Sequence, residues 1–275
     1  MIVINSSRPE VEQILFKAFQ KYAPDCAVNR ADAPEAAQAT TAACWFPDLA
    51  QLHRLPNLQL IHSIAAGVEH LDLANLKRNY RVCRVLDTVH QQGMLDYVLW
   101  GVLYVQRYFD RYLAQAKQQL WQQHKQRSRQ NMCVGIMGLG HMGAFVAQEL
   151  AKLGYRVQGW SHSAKQLTNV QHFNGKEQLA EFLAPCDVVV NLLPLTQQTH
   201  ALFNHTLWAK IKKGAALIHC GRGQHLVESD LIAALNSGQL SSAILDVFED
   251  EPLQQDHAYW QHPQIMVTPH IASHA

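Results

Sequence analysis

Cys133-Val134-Gly135-Ile136-Met137-Gly138-Leu139-Gly140-His141-Met142-Gly143 is the stretch that decides how this chain is read. Its first five residues form a short apolar run without helical period, which predicts a buried strand. The run breaks at Gly138 into a glycine turn, and Ala144-Phe145-Val146-Ala147-Gln148-Glu149-Leu150-Ala151-Lys152-Leu153 then carries apolar positions at helical spacing. In such a unit Gly138 permits a tight turn, Gly140 removes a side chain where a pyrophosphate must approach, and Gly143 lets the helix pack on its strand. The N–H groups at the helix start face the phosphates. The stretch predicts a dinucleotide site.

Working outward, strands are expected at residues 133–137, 156–160, 187–192, 216–220, 243–247 and 265–267, six in all, alternating with helices at 177–183, 206–211 and 228–237. Alternation of this kind demands a parallel, doubly wound sheet. Upstream, residues 2–5, 42–46 and 58–63 read as strands, and residues 9–22 as a helix with Val11, Ile14, Leu15, Ala18 and Phe19 on one face. Ile64-Ala65-Ala66-Gly67-Val68-Glu69 follows the third of those strands as a small-residue loop running into a helix, a place where bare N–H groups meet ligands. Residues 94–123 read as one long crossing helix, whose aromatics Trp100, Tyr104, Tyr108, Phe109, Tyr112 and Trp121 suit packing against a twin subunit, a homodimer.

Bulk properties narrow the function classes. A chain of 275 residues can hold two domains, and a net charge of +1 gives no field that would gather nucleic acid or an anionic membrane. No basic run rises above Lys125-Gln126-Arg127-Ser128-Arg129, which reads as a solvated loop. Six cysteines without a Cys-x-x-Cys pair suit a reducing cytoplasm, and no apolar run reaches membrane-spanning length. No histidine or cysteine spacing of metal-binding type falls on one expected helix face with supporting carboxylates, so no metal site is expected among the 16 histidines.

An acidic residue at the end of the second strand of a dinucleotide fold holds a ribose 2′-hydroxyl, whereas basic and hydroxyl groups accommodate a 2′-phosphate. Here the strand ends Gln158-Gly159-Trp160-Ser161-His162-Ser163-Ala164-Lys165, without a carboxylate, so NADPH is expected in preference to NADH. Three further residues stand just past successive expected strands: Arg222 in His219-Cys220-Gly221-Arg222-Gly223, Glu251 in Leu245-Asp246-Val247-Phe248-Glu249-Asp250-Glu251-Pro252-Leu253, and His270 in Val267-Thr268-Pro269-His270. Those strand ends are where the active sites of open α/β sheets gather.

With these segments, Ala65-Ala66-Gly67-Val68 and Asn191-Leu192-Leu193-Pro194-Leu195-Thr196 in order, the chain resembles the D-isomer-specific 2-hydroxyacid dehydrogenase family. Cys44-Trp45-Phe46-Pro47 and the tryptophan-serine end of the second strand point to its glyoxylate/hydroxypyruvate reductase A branch. The resemblance implies two Rossmann-like doubly wound parallel-sheet domains, one flavodoxin-like and one dinucleotide-binding. Residues 1–95 would form the substrate domain, and residues 96–275 the NAD(P)-binding domain with the long linking helix.

It further implies reduction of a small 2-keto acid, with His270 as acid/base, Glu251 bonded to it, and Arg222 gripping the substrate. Trp45, Ala66 and Gly67 would complete the substrate pocket. Leu139, Gly140, His141 and Met142 would meet the pyrophosphate, flanked by Gly138 and Gly143. Ser161, His162 and Lys165 would hold the adenosine phosphate, Leu193 and Pro194 the adenosine side, and Met94, Cys220 and Asp246 the nicotinamide end.

Three departures from the family pattern accompany this reading. His219 and Gly221 replace the usual Asn and Ala, which should loosen packing beside Arg222; Ala65 stands where Gly is common; and a segment that completes the N-terminal domain is expected to be missing after Ala275. The alternative function is an NAD(P)-binding regulator of corepressor type on the same fold.

Overall fold

The computed structural model describes residues 1–76 and 79–274, and its contacts divide the chain into Met1–Asp87 and Thr88–Ala275. The division falls after Asp87 and not after residue 95 because a helix begins at Thr88 and stays whole in the second unit.

The first unit is a parallel sheet of β1 (Ile2–Ser6), β2 (Val28–Arg30), β3 (Thr41–Trp45), β4 (Leu60–Ser63) and β5 (Arg81–Cys83), with α1 (Pro9–Tyr22) and α2 (Leu49–His53). Its strand order, β2-β1-β3-β4-β5, is the flavodoxin-like one. Val3, Ala42, Cys44, Leu52, Ile61 and Leu71 make its core. The edge strands β2 and β5 went unpredicted, since three-residue runs such as Val28-Asn29-Arg30 carry no period to read. The face of α1 differs from expectation as well. Ile14 is 64% exposed while Glu12 is buried, because the Glu12 carboxylate meets the Arg30 guanidinium on β2 at 2.6 Å. Past the Ala65 loop the chain makes only short 3-10 turns at Glu69–Leu71 and Leu73–Asn75, not the helix expected there.

The second unit opens with α3 (Thr88–Gln106) and α4 (Phe109–Lys117). The single helix expected over residues 94–123 is thus two helices, starting earlier and ending sooner. Tyr108 breaks them apart in the left-handed region at φ 58°, and Gln119 at φ 55° ends the second. The early start was hidden by Gly93, which reads as a breaker but is where the helix touches chain: a Cβ there would lie 2.8 Å from the His274 carbonyl. The basic run is not simply solvated. Arg127 donates to the Val105 carbonyl, lies 3.8 Å from Asp187 and stacks over Tyr108, while its own carbonyl accepts from Gln106.

The sheet of this unit comprises β6 (Cys133–Met137), β7 (Arg156–Ser161), β8 (Val170–Asn174), β9 (Val188–Asn191), β10 (Ala215–His219), β11 (Leu240–Leu245) and β12 (Ile265–Val267). The helices α5 (His141–Lys152), α6 (Leu179–Leu183), α7 (His205–Trp208) and α8 (Glu228–Asn236) connect them. All pairings are parallel in the order β12-β11-β10-β9-β6-β7-β8, the dinucleotide-binding order with one strand added. The strand added to that order is β12, and the one absent from the six expected is β8, an edge strand, Val170-Gln171-His172-Phe173-Asn174, with only Val170 and Phe173 buried. Two hydrophobic cores flank the sheet, one containing Phe182, Phe203, Trp208 and Tyr259, the other Met94, Val98, Val102, Ile136 and Val146. Among the described residues no helix is long and apolar enough to cross a membrane.

Candidate active site

β6 and β9 lie side by side where the strand order reverses, and the glycine turn leaves the end of β6 there. Each glycine does the job its position requires. Gly138 adopts φ +99°, a Cβ on Gly143 would stand 1.8 Å from the Gly138 carbonyl oxygen, and a Cβ on Gly140 would meet nothing within 4 Å. The turn is closed on itself and open outward at Gly140. The amino end of α5 carries no side-chain cap, as is true of α1, α4, α6 and α8 too. Its first N–H groups therefore await an external acceptor, as a pyrophosphate would supply. These residues fit a dinucleotide. His141 is exposed and held by Gln91, which donates to its carbonyl at 3.1 Å; Leu139 is buried and Met142 half-buried.

The ends of β10, β11 and β12 carry the other residues. Asp246, 1% exposed, holds the loop after β12: Oδ1 accepts from the Thr268 hydroxyl at 2.6 Å and the Ile271 N–H at 2.9 Å, and Oδ2 from the Ala272 N–H at 2.8 Å. Tyr97 of α3 meets Thr268 Oγ1 at 2.6 Å. Those bonds brace His270 from both sides of the loop, where it sits in the left-handed region at φ 56°. A histidine held in that strained conformation by so many anchors is typical of a working site.

The His270 Nδ1 lies 2.8 Å from Glu251 Oε2, and Glu251 Oε1 accepts from the Phe248 N–H at 3.0 Å. The Glu251 hydrogen bond raises the His270 imidazole above its ordinary value, against the effect of burial. For Glu251 burial pushes upward, yet the His270 and Phe248 hydrogen bonds and the positive charges of His270 and Arg222 hold the carboxyl below its usual range.

Arg222 follows β10 in a segment pressed against the loop after β11. A Cβ on Gly223 would stand 1.9 Å from the Phe248 carbonyl carbon, so only glycine lets the two loops meet. Arg222 is close enough to Glu251 and His270 for its charge to act on both. The sequence-predicted trio is thus brought together within the second unit.

In the first unit the loop after β4 turns its carbonyls inward. Ala65 O accepts from the Val85 N–H, Ala66 O from Arg84 Nη1 at 2.9 Å, and Gly67 O from the Ser63 hydroxyl at 2.7 Å. The N–H groups of Ala66 and Gly67 make no hydrogen bond among the described residues. Two adjacent spare donors on half-buried backbone suit a carboxylate. Trp45 packs against His70 with ring centroids 4.3 Å apart and the planes tilted by 46°, beside that loop.

Comparison with known proteins decides the family. The model of the D-isomer specific 2-hydroxyacid dehydrogenase NAD binding domain matches residues 99–272. The glyoxylate/hydroxypyruvate reductase A of Serratia proteamaculans (strain 568) is 40% identical over 241 residues, 86% of this chain and 77% of that protein. The crystal structure of a D-isomer specific 2-hydroxyacid dehydrogenase family protein from Klebsiella pneumoniae 342 is 45% identical, with TM-score 0.90, covering 100% of this chain and 88% of that one. A D-isomer specific 2-hydroxyacid dehydrogenase from Xanthobacter autotrophicus Py2, in complex with NADPH and MES, is 35% identical with TM-score 0.91, covering 100% and 89%. The chain belongs to the D-isomer specific 2-hydroxyacid dehydrogenase family. It is an NAD(P)-dependent dehydrogenase, similar to curated glyoxylate/hydroxypyruvate reductases A.

Measured against this dehydrogenase family, the departures near Arg222 do not loosen the packing. His219 is fully buried, and its Nδ1 lies 3.0 Å from Asn191 Nδ2. The same amide nitrogen lies 3.2 Å from His225 Nδ1, which also accepts the Arg222 N–H at 3.0 Å. A Cβ on Gly221 would intrude to 2.7 Å from both Asn191 Nδ2 and His225 Nδ1. The extra imidazole at 219 and the missing methyl at 221 are therefore two halves of one arrangement that fills the space behind Arg222. Burial, and next the His225 charge, push His219 down to about 3, which favours the neutral form, while its Nε2 is buried without a hydrogen-bond partner among the described residues.

Of the remaining predicted residues, Met94 and Cys220 share one core with Ala272, and Cys220 lies within electrostatic reach of Asp246. Burial, reinforced by that carboxylate, raises the Cys220 thiol well above its usual range and favours its protonated form. Leu193 is buried with its N–H on Asn191 Oδ1, and Pro194 is exposed with its carbonyl on His225 Nε2. Asp246, predicted at the nicotinamide end, spends both its oxygens on the His270 loop. Thr268, Tyr97, Asn191 and His225 carry positioning work that sequence reading assigned to none of them. They act through hydrogen bonds between segments distant in sequence, for which no local pattern exists.

Proposed function

We propose that this dehydrogenase reduces small 2-keto acids of the glyoxylate and hydroxypyruvate class to 2-hydroxy acids with NADPH, His270 giving the proton. The observation that carries the reading is the His270–Glu251 pair at 2.8 Å with the Arg222 charge beside it, at the ends of adjacent strands. When bound, the nicotinamide supplies a hydride to the keto carbon. Everything else falls to this chain's own side chains.

Glu251 accepts the proton on His270 Nδ1, which leaves Nε2 as the nitrogen that holds the mobile proton and gives it to the developing alkoxide. Arg222 presents a planar fork suited to a carboxylate flanked by a carbonyl. In the first unit, the spare N–H groups of Ala66 and Gly67 are donors suited to a substrate carboxylate, with Trp45 beside their loop. Met1–Asp87 is in this reading the substrate-binding part and Thr88–Ala275 the NAD(P)-binding part. Gly138, Leu139, Gly140, His141, Met142 and Gly143 hold the pyrophosphate. The turn that runs from Ser161 through His162 to Lys165, with no carboxylate among residues 161–165, receives the 2′-phosphate, the buried Ser161 hydroxyl holding the turn from behind. Leu193 and Pro194 flank the adenosine, while Met94, Cys220 and Asp246 shape the nicotinamide end. A homodimer belongs to the same reading, supported by the exposed apolar stripe of Trp100, Phe109, Leu113 and Trp121.

Oxidation of NADPH followed at 340 nm with glyoxylate and hydroxypyruvate, beside NADH, tests the reading. Turnover with NADPH favoured is the expected result; bound NADPH with no turnover of either acid would transfer the protein to the regulatory class.

The pH profile adds a second test. Reduction needs protonated His270, so the rate should be level at acid pH and fall as pH rises through the raised value of the imidazole. Glu251→Gln removes the largest cause of that rise, so the falling limb should move to lower pH. A limb that stays in place in the variant would detach Glu251 from the proton donor.

A further inference from the structure

The turn read as the 2′-phosphate site is tied down by a histidine that lies outside it. Ser161 ends β7 with its side chain buried, and its hydroxyl donates to the Ser163 carbonyl at 2.7 Å. The same oxygen lies 2.9 Å from Nε2 of His172 on the neighbouring strand β8. The Lys165 N–H points at His172 Nδ1, 3.4 Å away. Because the Ser161 proton is already committed to Ser163, Nε2 must be the nitrogen that carries hydrogen, leaving Nδ1 free to accept. One neutral imidazole thus satisfies both of its nitrogens and clasps the turn at both ends, Ser161 and Lys165.

We propose that His172 is a positioning residue for cofactor selection: from the edge strand it holds the 161–165 turn in the shape that grips a 2′-phosphate. The inference rests on the reading of that turn as the phosphate site. Its physical basis is pre-organisation. A turn left loose must be ordered when the phosphate binds, and that cost falls on NADPH alone, since NADH has no group to place there. Burial, and then the Lys165 charge, hold His172 below its ordinary value, which keeps the imidazole in the neutral form that the clasp requires.

The test is steady-state kinetics with both cofactors on the wild type, H172A and H172Q, with the keto acid saturating. The wild type should favour NADPH. H172A should lose about fivefold to tenfold in kcat/KM for NADPH, the scale of a neutral hydrogen bond or two. That loss should lie in KM, with kcat kept and the NADH constants unchanged. H172Q, whose amide can both donate to Ser161 and accept from Lys165, should recover most of it. An unchanged NADPH to NADH ratio in H172A overturns the proposal, as does an equal loss with both cofactors, the mark of a general structural part. H172Q no better than H172A also counts against it. A wild type indifferent to the two cofactors would instead remove the phosphate site itself, and the role of His172 with it.

Discussion

Replacing His270 by glutamine is expected to lower kcat for keto-acid reduction by about 10²–10⁴-fold, the usual contribution of a positioned general acid. Glutamine is the informative choice because its amide can still bond to the Glu251 carboxylate, which sits 2.8 Å from the imidazole. What it cannot do is surrender a proton near neutral pH. The loop should survive the change, since its anchors are Thr268 Oγ1 and the Ile271 and Ala272 N–H groups on Asp246, none of which involves the His270 side chain. NADPH affinity, read by fluorescence titration, should therefore stay within about threefold, well under the 1.4 kcal/mol that a tenfold change represents. A variant that loses cofactor binding as severely as turnover would show that His270 supports the cofactor pocket and is not the acid.

Arg222→Ala carries the second large effect. Charge-assisted, bidentate contacts to a carboxylate are among the strongest a side chain makes, and one that also touches the reacting oxygen stabilises the charge that develops there. The expected loss in kcat/KM for the keto acid is about 10²–10³-fold. The backbone around residue 222 should hold, because the Arg222 N–H remains on His225 Nδ1 and the Gly223 approach to Phe248 is unaffected. The loss of positive charge should also relax both partners, lifting the Glu251 carboxyl, which Arg222 helps to hold down, and raising His270 slightly further. Kinetics unchanged with the keto acid would remove Arg222 from the substrate.

How legible this site was depends on whether each residue works through local or distant contacts. Gly138, Gly140 and Gly143 were readable because their roles follow from backbone geometry over six residues: a positive φ, an open face and a contact with the turn itself. Arg222, Glu251 and His270 were readable because each follows a recognisable strand, and in a parallel sheet strand ends share one edge. His172 was not, since β8 is an edge strand with only Val170 and Phe173 buried, too weak an alternation to separate from a loop. The length of α3 was misjudged for the reverse reason: Gly93, a breaker in isolation, is retained inside the helix to let the backbone of residues 273–274 come close.

The family resemblance supplied the parallel sheet of the first unit; taken by itself, the sequence determined the parallel sheet of the second, the dinucleotide turn and the three residues proposed for the chemistry. All of these are expressed in apolar periodicity, glycine placement or residues at strand ends, and each is a property of a short segment. Only the tertiary structure decided the break at Tyr108, the burial of Glu12 over Ile14, the clasp of His172 on Ser161, and the filling of the space behind Arg222 by His219, Asn191 and His225. Each of these depends on which group from another part of the chain arrives to pair a polar atom or occupy a volume. A buried polar atom must find its partner wherever the fold supplies one, and that requirement leaves no mark on the residues alongside it in the chain.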